Sequence, residues 1–390
     1  DRRFRCGGEW IDTPAGVAHY LEHKMFDTAD GNALNILAAN GASPNAWTSA
    51  AMTAYHFECT EGFWENLEQL LSFVSVPYFT PESVAKEQGI IGQEIRMGED
   101  NPGSVVFYNL VKALYRNNPV RDTVAGTVES IAQITDKVLY DCHKVFYAPS
   151  NMVLCVEGDV DPEEIVRIAE EVLPKEKAPV PKADFGPVED MLPAERFHTE
   201  AMEVSAPQFL IGAKLAPGLT GTDAQRQRLI ATLALRMLCG SSSPFFTRLY
   251  AEGTLNNDFD YEVDASAGTI TAIVGGESRT PEKVLEELNA EIARVAAEGF
   301  DKAYFTRSKR ASLGARLRAL EDFDNVCVSL AMDCFDGYCS FDSYALLEEI
   351  TAEDWYIDIM TAKLVDPRVR SRFQVFLLPN LYGDIITDEA

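Results

Sequence analysis

Apolar residues recur along the first half of the chain with helical and strand spacings that alternate. Helical spacing between start and stop residues predicts helices, and alternating β-branched and aromatic residues predict strands. The predicted helices cover residues 15–26, 31–39, 61–76, 82–99 and 134–147, and a further helix begins at Asp161. The predicted strands cover residues 46–59 and 151–158. The first half is therefore expected to fold as strands packed with helices.

The pattern restarts after a charged, proline-rich stretch, which is typical of an interdomain linker. The second half predicts a strand at 208–214, a helix at 223–238, a hairpin at 260–275 and helices after Thr280 and Phe300. The order helix, break, Phe, helix occurs at Phe79 and again at Phe300, which indicates a weak internal repeat. We predict two related domains, residues 1–180 and 195–390, with a linker at 174–194.

Composition narrows the class of partner. The chain of 390 residues is long enough for two domain cores and is 46% apolar, and no apolar run reaches the roughly 18 residues that span a bilayer. The net charge of −27 argues against nucleic acid and anionic membranes as partners. It permits cationic peptides as substrates, and it is equally compatible with an acidic surface that only confers solubility.

Eight cysteines are present, and none forms a C-x-x-C pair. Most lie in apolar runs, which favours buried free thiols in a reducing, cytoplasmic compartment over a disulfide or a cysteine metal site. The chain begins at Asp1 and not at Met, so a preceding leader stays an open alternative.

The run His19-Tyr20-Leu21-Glu22-His23 carries the most specific chemistry. In a helix, His19 and His23 lie one turn apart on the same face, where two imidazoles can bind one zinc ion. Glu22 can reach a water molecule on that ion and take its proton. The alternative is a helix with two unrelated surface or core histidines. Manganese or cobalt also suits this type of ligand.

A third ligand is expected from the helix that starts at Thr80-Pro81-Glu82. Glu87 and Glu94 are seven residues apart on one face of this helix, so one could bind the metal while the other supports a ligand. Glu94 lies beside apolar Ile91 and Ile95, which favours Glu94 as the ligand. For either glutamate alone, a solvated helix surface would be the ordinary interpretation.

The motif resembles the pitrilysin/insulinase-type inverzincin zinc metallopeptidases, for which H-x-x-E-H is the signature. Three segments carry the resemblance: Gly16–Phe26, Gly41–Ser49, and Glu87 through Asp100-Asn101-Pro102. The resemblance spans most of residues 1–160 and is strongest to the small bacterial subgroup with two related domains.

The resemblance implies an α+β fold of two related domains, each a mainly antiparallel sheet packed with helices, which form a clam-like chamber. It implies one zinc ion per chain bound by His19, His23 and Glu94, Glu22 as general base, and Glu87 as the supporting glutamate. Asn45 and Ala46 would contact the peptide backbone beside an edge strand. Strands that precede the metal helix in the family are expected to be missing or shortened.

The second half departs from the family pattern. Catalytic members place an Arg and a Tyr after a start similar to Ser242-Ser243-Pro244-Phe245-Phe246. Here Tyr250 and Asn257 stand at those positions, with Arg248 and Tyr261 nearby but out of register.

We therefore expect a zinc endopeptidase that acts on short or unfolded peptides. One alternative is the zinc-bearing subunit of a heterodimer that is inactive without an Arg/Tyr partner. The other alternative is a non-catalytic assembly subunit. A homodimer or a heterodimer with a related non-zinc subunit is expected.

Overall fold

The structure is a computed structural model that describes residues 3–6, 9–176, 178–351 and 375–379. Its contacts divide the chain into two compact units. Unit 1 takes the described residues of 1–98, 122–185 and 322–334, and unit 2 takes those of 99–121, 186–321 and 335–390. Residues 99–121 from the first half of the chain belong to unit 2, and residues 322–334 from the second half belong to unit 1. The units are therefore not two consecutive halves of the chain. The predicted boundaries at 1–180, 174–194 and 195–390 stay predictions for the folding domains.

Unit 1 combines helices with small antiparallel sheets. Its elements are β1 Arg3–Cys6, β2 Glu9–Asp12, α1 Val17–Met25, β3 Asp27–Thr28, β4 Gly31–Asn32, α2 Ala33–Ala39, β5 Ala42–Thr48, β6 Thr53–Cys59, α3 Phe63–Ser75, α4 Pro81–Glu99, α6 Val128–Ile131, α7 Asp136–Phe146, α8 Pro162–Val172, β7 Lys182–Ala183 and most of α13 Phe323–Asp336. Strand β1 lies between β2 and β7, and β5 pairs with β6 as an antiparallel hairpin.

The core of unit 1 includes the apolar faces of helices α1 and α4. Tyr20 and Leu21 of α1 are almost fully buried, as are Val84 and Ile91 of α4. The Tyr20 hydroxyl also donates a hydrogen bond of 2.5 Å to the carbonyl of Val84. This contact fixes α1 against α4 and sets which of their polar faces meet.

Unit 2 packs helices around one five-stranded sheet. Its elements are α5 Pro102–Leu114, β8 Phe197–Glu200, β9 Gln208–Lys214, α9 Gly221–Cys239, α10 Pro244–Ala251, β10 Asp260–Ser266, β11 Thr269–Glu277, α11 Pro281–Glu298, α12 Lys302–Ala319, α14 Asp342–Glu349 and β12 Val375–Pro379. The strand order is β10-β11-β9-β12-β8, antiparallel except for the parallel pair β12 and β8.

Helix α9 is the central core helix of unit 2, and it packs against α10, α11, α12 and α14. Among the described residues, the stretch Gly221–Ala251 has the length and mean hydropathy of a membrane span, but 67% of its apolar window is buried inside the protein. Such burial is usual for the core helix of a folded domain.

The structure confirms the α+β class and the predicted helices, and it corrects two strand predictions. Residues 46–59 were predicted as one strand, whereas the hairpin β5–β6 turns at residues 49–52. That turn contains Ser49, whose N–H donates to the carbonyl of Met52, and it lacks the Gly or Pro that marks most turns. No strand is assigned to described residues 152–157, where a strand had been predicted.

The segment predicted as a linker makes specific contacts. Its residues 182–183 pair with β1. The buried carboxylate of Glu189 accepts backbone N–H groups from Arg116, Asn117 and Asn118. These hydrogen bonds hold the stretch in place, and its role as an interdomain linker stays a prediction.

Two glycines allow a close backbone approach at the start of α1. Gly16 and Gly126 both have a left-handed backbone, with φ of +89° and +76°. A Cβ on Gly16 would lie 2.4 Å from the carbonyl oxygen of Ala125, and one on Gly126 would lie 2.4 Å from that of Ala15. Helix α1 therefore begins at a point where no side chain fits.

We predict that Gly16→Ala lowers the free energy of unfolding by about 2 kcal/mol or more, because it adds left-handed strain and a backbone clash. The matched control is Gly89→Ala, at an exposed site in α4 where a Cβ meets nothing within 4 Å. That change should raise the free energy of unfolding by about 0.5–1 kcal/mol. Urea unfolding of both variants measures the difference, and equal shifts would contradict the packing described.

Candidate metal centre

Helix α1 presents two adjacent stripes. The apolar stripe enters the core, and the polar stripe consists of His19, Glu22 and His23, which the i, i+3, i+4 spacing places side by side. The imidazole rings of His19 and His23 have centroids 4.6 Å apart. The two histidines therefore lie side by side on one face of helix α1, as the spacing predicts.

Helix α4 brings Glu94 to the two histidines. Glu94 Oε2 lies 3.7 Å from His19 Nε2 and 3.6 Å from His23 Nε2. One donor atom from each of the three residues lies within 4.8 Å of the other two, and the side chains are half-buried. Donors about 2.0–2.1 Å from a tetrahedral zinc ion are roughly 3.3 Å apart, so the Glu94 oxygen is close to the spacing that zinc needs from each histidine nitrogen.

Glu87 approaches the other nitrogen of His23. His23 Nδ1 and Glu87 Oε1 are 3.1 Å apart, so the ring donates from Nδ1 to the carboxylate. This hydrogen bond leaves the lone pair of Nε2 directed toward Glu94. It is the arrangement in which an outer carboxylate fixes the tautomer of a metal-binding histidine. Glu94 lies among the three candidate donor atoms and Glu87 lies behind His23, and the roles predicted for the two glutamates stay predictions.

The two histidines have opposite pKa shifts. Burial, together with the neighbouring His23, lowers the pKa of His19 to about 4, so this imidazole is neutral at pH 7. The hydrogen bond to Glu87 raises the pKa of His23. A metal ion must then displace a proton from His23 as pH falls, so metal affinity decreases on the acid side. His19 Nδ1 is buried and has no hydrogen-bond partner within the part of the chain that the structure describes.

Glu22 is a buried carboxylate on the same face. It is 6% exposed, and its Oε2 accepts a hydrogen bond of 2.5 Å from the Thr48 hydroxyl. Burial raises the pKa of Glu22, and the Thr48 hydrogen bond and His23 oppose that rise. A raised pKa makes a carboxylate a better acceptor of a proton that it later returns.

The hairpin β5–β6 lies beside this face. Asn45 and Ala46 occupy the middle of β5, opposite His56 and Tyr55 of β6. Asn45 is exposed, and its side-chain oxygen accepts the backbone N–H of Ala46. Within the described ranges, β5 and β6 form a two-stranded sheet, so the outer edge of β5 has no strand partner. The roles predicted for Asn45 and Ala46 stay predictions.

The expected Arg and Tyr positions lie in unit 2. Tyr250 is 46% exposed on α10, and Asn257 lies in the turn before β10. Arg248 is held by Glu287 at 2.7 Å, and Tyr261 packs against the core of unit 2.

Sequence reasoning gave no role to Thr48, although it belongs to the segment Gly41–Ser49. Thr48 shares strand parity with Ala46, which packs on the core side of the hairpin. Once the register of the hairpin is known, that parity places Thr48 on the side that faces α1. Tyr55 and Tyr147, whose buried hydroxyls are 2.6 Å apart near Glu22, were also not singled out.

Comparisons with known proteins agree with the two-domain α+β fold. A family model described as insulinase (peptidase family M16) matches residues 6–128, and one described as the peptidase M16 inactive domain matches residues 133–312. The uncharacterized zinc protease YmfH of Bacillus subtilis is 36% identical over 359 residues, which cover 91% of this chain and 84% of the relative.

Two further similarities follow. The crystal structure of an M16-like peptidase from Alicyclobacillus acidocaldarius superposes with a TM-score of 0.89 at 32% identity, covering 97% of this chain and 90% of that one. The mitochondrial-processing peptidase subunit beta of Caenorhabditis elegans is 30% identical over 160 residues, 40% of this chain and 35% of the relative. With the two-domain α+β fold, these matches show that the chain belongs to the insulinase family of peptidases, family M16.

Proposed function

We propose that this chain is a zinc-dependent endopeptidase. The observation that carries the proposal is the convergence of donor atoms from His19, His23 and Glu94 beside the buried carboxylate of Glu22. Two imidazoles and one carboxylate leave a fourth tetrahedral position open, as in catalytic zinc sites. The names of the zinc protease relatives support the choice of zinc.

A bound zinc ion would lower the pKa of a water molecule and polarise the scissile carbonyl group. Glu22 would act as the general base and acid, holding a proton at its carboxylate and returning it to the leaving amine. Glu87 holds His23 in the tautomer that presents Nε2. His19 stays neutral at working pH because its pKa is lowered to about 4.

The outer edge of β5, which pairs with no strand among the described residues, favours extended peptides as substrates. A peptide that adds to this edge as a strand is held by main-chain hydrogen bonds, which gives broad specificity for short or unfolded chains. Asn45 and Ala46 at the middle of β5 would make those contacts. The net charge of −27 adds attraction for cationic peptides, and a reducing, cytoplasmic location accords with the cysteines that are free thiols.

A second candidate function is the zinc-bearing subunit of a heterodimer. Tyr250 and Asn257 stand where an Arg/Tyr pair is expected, and the matching family model for residues 133–312 is described as an inactive domain. The processing-peptidase relative is named as a subunit. A non-catalytic assembly subunit is the third candidate, and the complete set of metal donors argues against it. A homodimer remains part of the leading proposal.

We predict that Glu22→Gln abolishes cleavage of a quenched fluorescent peptide library by the zinc-loaded chain, with a loss of at least about 1,000-fold in kcat/KM. The amide cannot accept the water proton, so the chemical step is lost while bound zinc stays at one per chain. Glu129→Gln, at an exposed glutamate of α6, is the matched control and should cleave as the wild type does. Cleavage by Glu22→Gln at the wild-type rate would contradict the role of general base.

We predict different zinc affinities for glutamate variants along α4. Glu94→Gln removes a charged ligand and should weaken zinc binding by more than about 100-fold. Glu87→Gln removes only the hydrogen bond that supports His23 and should weaken zinc binding by roughly 10–100-fold. Glu99→Gln, at an exposed site on the same helix, is the control. Competition with a chromophoric chelator gives each dissociation constant. A larger loss for Glu87→Gln than for Glu94→Gln would exchange the two roles.

We predict that the double variant Tyr250→Arg/Asn257→Tyr raises kcat/KM of the chain alone by about 10-fold or more, because it restores the Arg/Tyr pair that the family pattern uses to stabilise developing negative charge. The measurement is peptide cleavage before and after the two changes. The contrary result is no cleavage by the double variant alone, with cleavage only after a related subunit that carries the Arg/Tyr pair is added. That result would favour the heterodimer proposal over the proposal of a self-sufficient enzyme.

A further inference from the structure

Thr48 connects the hairpin to the buried carboxylate of the metal helix. Its hydroxyl oxygen lies 2.5 Å from Glu22 Oε2, and the side chain is half-buried at the end of β5. An ionised carboxylate only accepts hydrogen bonds, so the single hydroxyl proton of Thr48 is donated to Glu22. A short hydrogen bond to a charged, buried group is among the stronger ones in proteins.

Thr53 completes a chain of hydrogen bonds across the hairpin. Thr48 and Thr53 are directly opposite each other in the last pair of β5 and β6, and their hydroxyl oxygens are 3.2 Å apart. Because Thr48 donates its proton to Glu22, Thr53 must be the donor to Thr48. The order Thr53 to Thr48 to Glu22 is therefore fixed in direction.

The position of this chain has a geometric consequence. Strand β5 is the one that would bind the peptide, and Glu22 is the group that would act on the attacking water. A hydrogen bond between the two holds the carboxylate at a constant place relative to the strand that sets the register of the substrate. Misplacement of a reacting group by about 1 Å can cost roughly 100-fold in rate.

We propose that Thr48 is a positioning residue for Glu22, oriented in turn by Thr53, which couples the peptide-binding strand to the general base. The inference rests on the proposed peptidase function for its catalytic consequence. Its structural part, that Thr48 holds Glu22, is independent of that function. Thr48 contacts none of the proposed metal donors through this hydrogen bond, so its loss should leave zinc binding intact.

The first test measures the coupling between Thr48 and Glu22 in the metal-free protein. Thermal unfolding of the wild type, Thr48→Val, Glu22→Ala and the double variant forms a cycle. We expect Thr48→Val to lower the Tm by about 3 °C or more in the wild type, and to have little effect when Glu22 is already absent. An equal Tm shift in both backgrounds would overturn the inference without reference to catalysis.

The second test separates positioning from binding by steady-state kinetics of the zinc-loaded chain. Thr48→Val should lower kcat by roughly 10–100-fold with KM and bound zinc nearly unchanged, and Thr48→Ser, which keeps the hydroxyl, should restore kcat. Thr53→Val should have a smaller effect in the same direction. The control is Thr232→Val, which removes a half-buried hydroxyl from α9 in unit 2.

The outcomes are distinguishable. A rise in KM without a change in kcat, or an equal kcat in Thr48→Val and the wild type, overturns the positioning role. If the wild type cleaves no peptide, the proposed function fails, and the thermal cycle alone decides whether Thr48 holds Glu22.

Discussion

The packing of helix α1 on helix α4 is the contact on which the candidate centre depends. Tyr20 and Leu21 are buried against a core that includes Val84 and Ile91, and the Tyr20 hydroxyl is bonded to the Val84 carbonyl. Each buried large apolar side chain contributes about 1.5–3 kcal/mol, so the helix pair is held by its apolar stripes. The polar stripes follow by geometry, because a helical side chain has a fixed angular offset from its neighbours.

The same packing brings negative charges close together. Glu22, Glu87 and Glu94 converge on two histidines, one of which is neutral because its pKa is lowered to about 4. In the metal-free chain, burial raises the pKa of Glu22, and the hydrogen bond between His23 and Glu87 raises the pKa of His23 and lowers that of Glu87. A bound divalent cation would add an opposite charge beside these carboxylates.

The sequence predicted the features that depend on local spacing. The H-x-x-E-H run predicts one helix, and it lies in helix α1. The Thr-Pro-Glu start and the spacing of Glu87 and Glu94 predict a second helix, which is α4. Features that depend on distant contacts were not predictable in this way. The turn at residues 49–52 carries no Gly or Pro, so residues 46–59 looked like one strand, and Thr48 could not be assigned to face Glu22 until the hairpin register was known. The exchange of segments 99–121 and 322–334 between the two units also has no local signal, because only tertiary contacts define it.

The most direct test of the account is an anomalous diffraction map at the zinc absorption edge, from crystals of the zinc-loaded chain. The account predicts one strong peak bonded to His19 Nε2, His23 Nε2 and a Glu94 oxygen, at about 2.0–2.2 Å from each. The Glu87 carboxylate should remain on His23 Nδ1. A peak bound by Glu87 in place of Glu94, or a peak away from helix α1, would contradict it.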